Sequence, residues 1–170
     1  LSLDDPVISF FPDDTPTDPS WQLKAMRIRD LITMTTGHRK EPRLFNVESD
    51  WVKTFLHSDI EFKPGTHFQY NSAATYMLSA ILQSVTGERL VDYLDKRLFQ
   101  PLMIQKPDWD RSPEGINTGG WGLRITTEDI AKLGQLYLQN GMWQGERILS
   151  EAWVQEATSK QTSNGSHPDN

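Results

Sequence analysis

The sequence predicts a mainly α-helical fold with little strand. Three features point that way. Apolar residues recur at three- and four-residue intervals in several windows, the signature of one buried helix face. Hydroxyl or acidic residues open those windows, and glycine or proline closes them. At 170 residues, 36% apolar and 24% charged, the chain is long enough for one domain around one core. No internal repeat or low-complexity tract disturbs this pattern.

Residues 1–25 are expected to form an irregular lead-in, because Asp4-Asp5-Pro6, Pro12-Asp13-Asp14, Pro16 and Pro19 interrupt any regular spacing. MRIRDLITMT (26–35) places Ile28, Leu31, Ile32 and Met34 on one face of a short helix, with Gly37 as its stop. VESDWVKTFLH (47–57) gives a second helix that turns Val47, Trp51 and Phe55 inward, with Leu56 beside them. Pro64-Gly65 demands a turn with Gly65 at positive φ. The clearest helix runs over 73–86: Met77, Ile81 and Val85 repeat at four-residue spacing, Leu78 and Leu82 flank them, Ser72 is its N-cap and Gly87 its end.

A further helix over 88–99 buries Leu90, Tyr93 or Leu94, and Leu98 before Pro101 stops it. Residues 105–122 carry Pro107, Pro113, Gly115, Gly119, Gly120 and Gly122 and read as a long loop. Loops of that length are functional or disordered, and Trp109 and Trp121 argue against disorder. Thr126 or Thr127 caps the next helix, whose first turn holds Glu128 and Asp129 and whose core stripe is Ile130, Leu133, Leu136 and Tyr137. Asn140-Gly141 is a turn, residues 141–149 a small hairpin, and Ser150 the cap of a last helix near 151–159. The helical body thus covers 26–160, in roughly six helices, and 161–170 is a polar tail.

Composition narrows the partners. A net charge of −6 gives no electrostatic help with phosphate, so no nucleic-acid partner is expected. No run of about 18 apolar residues is present, so no membrane span is expected. The absence of cysteine excludes a disulfide framework, a thiolate metal site and a cysteine nucleophile. His38, His57, His67 and His167 lie far apart, and Asp13-Asp14 reads as a solvated turn, so no metal site is expected. Gly119-Gly120-Trp121-Gly122 lacks the Gly-Lys-Ser/Thr of a phosphate loop and reads as a close backbone approach to a ligand or another segment. Neither Gly-x-Ser-x-Gly nor Ser-x-x-Lys occurs.

One stretch carries chemistry: FKPGTHFQYNSAATYMLSAI, residues 62–81. Tyr70 and Ser72 stand two residues apart at the mouth of a helix. One reading is a core tyrosine before a capping serine. The other is a catalytic tyrosine, whose phenol, with an ordinary pKa near 10, acts as a base where cations and a helix N-terminus favour the phenolate.

Four segments, in order, bear on that choice. IRDLITMTTGH (28–38), FKPGTHFQYNSAATYMLSAILQSVTG (62–87), RLFQPLMI (97–104) and GGWGLRITTEDIAKLGQLYLQNG (119–141) resemble segments of the serine beta-lactamase-like hydrolases. That family includes class C beta-lactamases, D-alanyl-D-alanine carboxypeptidases and related esterases. The resemblance implies the helical domain of the beta-lactamase/transpeptidase-like α/β fold, with most of the sheet domain missing. Tyr70 matches the Tyr of Tyr-x-Asn, implicated in proton transfer with the nucleophilic serine. Ser72 stands where Asn is usual. It is shorter and makes fewer hydrogen bonds, which weighs against beta-lactam specificity but not against the hydrolase reading. Trp121, with Gly120, falls where the family lines its acyl pocket, and is expected as a cleft wall; the other reading of Trp121 is a core aromatic.

The family's Ser-x-x-Lys and its Lys-Thr-Gly or His-x-Gly strand are missing from these residues. The resemblance therefore implies part of a hydrolase that cleaves an amide, lactam or ester through a serine acyl-enzyme, with this part inactive alone. Neither Leu1 nor the last residues look like a natural terminus, which agrees with a piece of a longer protein. Expected partners are a small-molecule or peptide acyl substrate and the remaining sheet domain of the same protein. No cofactor is expected, and a periplasmic or secreted location goes with the family. A non-catalytic relative that binds a peptide or cell-wall fragment is the alternative.

Overall fold

The computed structural model describes residues 1–44 and 48–163. Among these are seven α-helices: α1 (Trp21–Ala25), α2 (Ile28–Ile32), α3 (Trp51–Leu56), α4 (Ser72–Thr86), α5 (Leu90–Leu94), α6 (Thr127–Leu138) and α7 (Glu151–Thr158). Strand is limited to two antiparallel pairs. β1 (Asp108–Trp109) lies against β2 (Leu123–Arg124), and β3 (Met142–Trp143) against β4 (Glu146–Arg147). The mainly helical expectation holds.

α4 organises the first half. Ala73, Ala74, Tyr76, Met77, Ala80 and Ile81 are buried along it, and the small alanines let neighbours approach closely. α2, α3 and a 3-10 turn at Val7–Phe10 pack on that face. Leu31, Phe55, Leu56, Val7, Leu23 and Met26 complete the cluster. α4 ends as its sequence requires, with Gly87 at φ 69°. The second cluster is smaller. Val91, Phe99, Leu102, Ile104 and Leu136 are buried, and Trp109, Leu133, Trp143 and Leu149 pack around them half-exposed. α5 continues into one wide turn at Asp95–Phe99, and the two-residue turn between β3 and β4 puts both Gln144 and Gly145 at positive φ, as a tight hairpin needs.

The departures from expectation are instructive. The lead-in is not wholly irregular: the Ser20 hydroxyl accepts from Leu23 N–H and starts α1, and Val7, Phe11, Leu23 and Met26 enter the core. α2 stops at Ile32, before Gly37. Gly37 instead takes φ 86° because the Phe62 carbonyl occupies the space a side chain would need, and Glu61 and Phe62 N–H both bond the Gly37 carbonyl. Ile32, Val85, Ile130 and Tyr137, expected inside, are exposed. Spacing tells which side chains share a face and not whether anything covers it. Val47 lies outside the described residues. The long loop at 105–122 contains β1 and is braced throughout. Trp109 Nε1 donates to the Trp121 carbonyl (2.9 Å), and Asn117 Nδ2 to the Trp109 carbonyl (3.2 Å). Asn117 Oδ1 accepts from Val91 N–H (3.1 Å).

Candidate active site

The approach to Tyr70 is built from a turn and a short irregular run. Lys63–Thr66 closes on Pro64-Gly65, with Gly65 at φ 82° as expected. Residues 67–71 then run outside any helix or strand, tied by Gln69 N–H to the Met34 carbonyl (3.0 Å).

At the helix mouth the roles differ from those expected. The N-cap of α4 is Asn71, not Ser72. Asn71 has extended dihedrals, and its Oδ1 accepts from Ala74 N–H at 3.1 Å. Asn is as good a cap as Ser, and here its carboxamide is held from behind, which decides between them. Ser72 is thereby moved into the first turn, half-exposed, and among the described residues its hydroxyl has no hydrogen-bond partner. Tyr70 is 58% exposed, and its hydroxyl is likewise unpartnered among the described residues. A core tyrosine with a capping serine is therefore not what these residues are.

Tyr76, six residues on, shows what a structural tyrosine looks like in this molecule. It is fully buried, donates to Ser112 Oγ at 3.2 Å, and burial pushes its phenol up to about 12.

The glycine-rich segment lies across the first turn of α4. A side chain on Gly119 (φ 70°) would come within 2.5 Å of the Thr75 carbonyl. One on Gly120 would come within 2.7 Å of Thr75 Oγ1 and 3.3 Å of Ser72 Cβ. Only glycine lets this backbone sit there, so Gly120 and Ser72, far apart in sequence, are neighbours. Trp121 sits at the margin of the first core, its ring 6.0 Å from that of Trp51. Its carbonyl accepts from Trp109 Nε1 and from Thr118 Oγ1 (2.5 Å), which fixes the backbone just after Gly120.

Two further groups reach this helix mouth, and spacing gave no sign of either. Glu41 Oε1 accepts from Ala73 N–H (3.1 Å), placing a carboxylate at the positive end of α4. Behind Asn71 runs a buried polar chain: Asn71 Nδ2 donates to Thr36 Oγ1 (3.2 Å), which meets His38 Nδ1 (2.8 Å), while His38 Nε2 meets Ser58 Oγ (2.7 Å). Burial holds the His38 imidazole down at about 4. Burial also raises the Asp30 carboxyl, although it accepts from Arg27 N–H at the start of α2. Among the described residues no group of three or more His, Cys, Asp or Glu could hold a metal ion, and no helix is long and apolar enough to cross a membrane.

The comparisons with known proteins bear on this geometry. The Beta-lactamase family model matches residues 1–170. The chain belongs to the beta-lactamase family. A 6-aminohexanoate-dimer hydrolase of Paenarthrobacter ureafaciens is 34% identical over 94 residues, 52% of this chain and 23% of that protein. A protein of Escherichia coli (strain K12), named provisionally as a D-alanyl-D-alanine carboxypeptidase, is 25% identical over 114 residues, 60% of this chain and 26% of that one. The fold is similar to that of a Bacillus anthracis protein named provisionally as a 6-aminohexanoate-dimer hydrolase. There the TM-score is 0.78 at 18% identity, over 92% of this chain and 46% of the other. A Bacteroides dorei protein named provisionally as a beta-lactamase gives 0.74 at 22%, over 97% and 52%. The chain thus spans about half the length of these structures and about a quarter of the two sequence relatives. The fold is part of a beta-lactamase-like fold, mainly its helices.

Proposed function

We propose that these residues form the helical part of a serine hydrolase that cleaves an amide, lactam or ester through an acyl-enzyme, with Tyr70 in proton transfer. The observation that carries this is the pairing of an exposed, unpartnered Tyr70 hydroxyl with a Ser72 hydroxyl released from capping. The fold uses neither hydroxyl, so both are available to a substrate. In the reaction the serine Oγ adds to the acyl carbon while its proton passes to the Tyr70 oxygen. That proton then goes to the leaving nitrogen or oxygen as the acyl bond breaks. Gly120 and Trp121 line the substrate side and Ser72 takes a substrate hydrogen bond.

The nucleophile and its lysine are not among these 170 residues, since Ser-x-x-Lys does not occur. The chain alone is inactive on this reading. Its partners are the acyl substrate and the remaining sheet domain, in a periplasmic or secreted protein. The helical body is read as 26–160, with 1–25 leading in and packing Val7, Phe11 and Leu23 into its core, and 161–170 trailing.

Intact mass after incubation with a fluorophosphonate probe tests the reading. One labelled serine is expected in the full-length protein and none in this chain. Tyr70→Phe in the full-length protein is expected to lower kcat by about 100-fold or more, the usual worth of a positioned acid–base group. Ser72 in place of Asn supports a second reading, a non-catalytic domain that binds a peptide or cell-wall fragment. Absence of label in both proteins would favour it.

A further inference from the structure

The polar chain behind Asn71 has a direction, and each link follows from the one before. Ser58 Oγ lies 2.6 Å from the Phe55 carbonyl, which only accepts, so Ser58 donates there. Ser58 must then accept from His38, which puts the imidazole proton on Nε2. A neutral imidazole leaves Nδ1 bare, so Thr36 Oγ1 donates to it. Thr36 in turn accepts from Asn71 Nδ2, which leaves Asn71 Oδ1 facing Ala74 N–H, where it caps α4. Each contact along this line joins one donor to one acceptor, and Asn71, Thr36 and His38 are all at most 1% exposed. A protonated His38 would present a second donor to Thr36 and break the sequence, and burial among Phe55 and its neighbours disfavours that state.

We propose that His38 is a positioning residue: as the neutral Nε2–H tautomer it orients Thr36, which locks the Asn71 carboxamide into the α4 cap and so fixes Tyr70 and Ser72 on either side of it. The proposal rests on the reading of Tyr70 and Ser72 as site residues. A cap held only by its own amide bond can rotate about χ2, whereas one held at both Oδ1 and Nδ2 cannot. With the cap locked, the free hydroxyls beside it keep one direction without any partner of their own.

The test has two arms. Long-range 1H–15N correlation spectra of the 170-residue chain at pH 7 are expected to show His38 protonated at Nε2 and bare at Nδ1. The opposite tautomer overturns the proposal, and this measurement depends on no variant. Thr36→Val keeps the shape and removes the hydroxyl, and Thr36→Ser restores it. Exchange of the Asn71 side-chain amide with solvent is expected to speed up about tenfold or more in Thr36→Val and to return toward its original rate in Thr36→Ser. Unchanged exchange in Thr36→Val overturns the proposal. In the full-length protein the same pair reads the reaction: kcat is expected to fall about tenfold in Thr36→Val with KM within about threefold, and to recover in Thr36→Ser. Unaltered kcat in a Thr36→Val protein that still takes the serine label overturns the positioning role. If the unaltered full-length protein takes no label, acyl transfer fails alone, and tautomer and exchange still decide whether His38 locks the cap.

Discussion

The two hydrophobic clusters of this molecule are built differently. Around α4, large side chains such as Phe55, Tyr76, Leu31 and Met77 are fully buried and helices close on the core from several sides. Around α6, Leu136 is the one buried residue of the helix. Its stripe-mates Ile130 and Tyr137 are open to solvent, and beyond the buried Val91, Phe99, Leu102 and Ile104 the cluster is completed by half-exposed tryptophans and leucines. The same amphipathic pattern therefore produced a closed core in one place and an open one in the other. The candidate site sits on the closed one. A site needing two hydroxyls held in fixed directions belongs where the backbone behind it cannot shift.

Large-to-small substitutions should expose this difference most strongly. Leu31→Ala is expected to cost about 3–4 kcal/mol, the transfer term plus an unfilled cavity. Leu133→Ala, at a half-exposed position that can relax, should cost about 1 kcal/mol. Urea midpoints at constant m-value measure both. Equal losses would mean the two clusters are equally tight, and the contrast drawn from burial would be wrong.

Acid acts next, and on the first cluster. The unfolded His38 imidazole titrates near 6.5 and the folded one at about 4. Between those values the unfolded chain binds the extra proton, so His38's contribution is complete above pH 6.5 and is lost as pH falls toward 4. A depression of this size corresponds to about 3 kcal/mol. Asp30 works the other way: burial raises its carboxyl, so it favours folding as pH falls through that raised value. Stability measured from pH 7 to 4 should therefore drop in the unaltered chain, and the slope should flatten in His38→Leu. The same slope in both would remove His38 as the cause.

The bracing of the second cluster can be cut at one residue. Asn117 is buried, accepts from Val91 N–H at the start of α5 and donates to the Trp109 carbonyl. Asn117→Ala leaves both backbone groups unsatisfied and should cost about 2 kcal/mol. It should also separate the unfolding of the α6 region from that of α4, seen as non-coincident fluorescence and circular dichroism transitions. A single coincident transition would show that the second cluster, even with this brace removed, does not unfold apart from the first.

What the sequence revealed and what it concealed follow the same physics. Local signals were legible. The α4 pattern with Gly87 at its end, the Pro64-Gly65 turn, the Thr126 and Ser150 caps and the hairpin after Asn140 are each decided within a few residues. Long-range partners were not. Ser72 looked like a cap because nothing in the spacing says that Thr36, 35 residues earlier, holds Asn71 instead. Gly37 looked like a helix stop because the Phe62 carbonyl that needs its missing side chain is 25 residues away. Tyr70, Ser72, Gly120 and Trp121 entered through residue types at family positions. Glu41 and His38 reach α4 only through the fold, and no local pattern could have singled them out.

The smallest expected effect separates an open face from a weak one. Tyr137 and Leu138 lie seven and eight residues after Ile130, on one side of α6, and Leu138 is 78% exposed. If these side chains contribute nothing to the fold of this chain, Ile130→Ser and Leu138→Ser should change stability by no more than about 0.5 kcal/mol. An apolar face left open still associates with whatever apolar surface it meets. The unaltered chain should therefore sediment heavier as its concentration rises, and the double variant should remain monomeric over the same range. A strictly monomeric unaltered chain would show the exposed stripe to be too small to drive association. A large stability loss in either single variant would show that α6 is held by these side chains after all, and that the second cluster is more closed than its burial indicates.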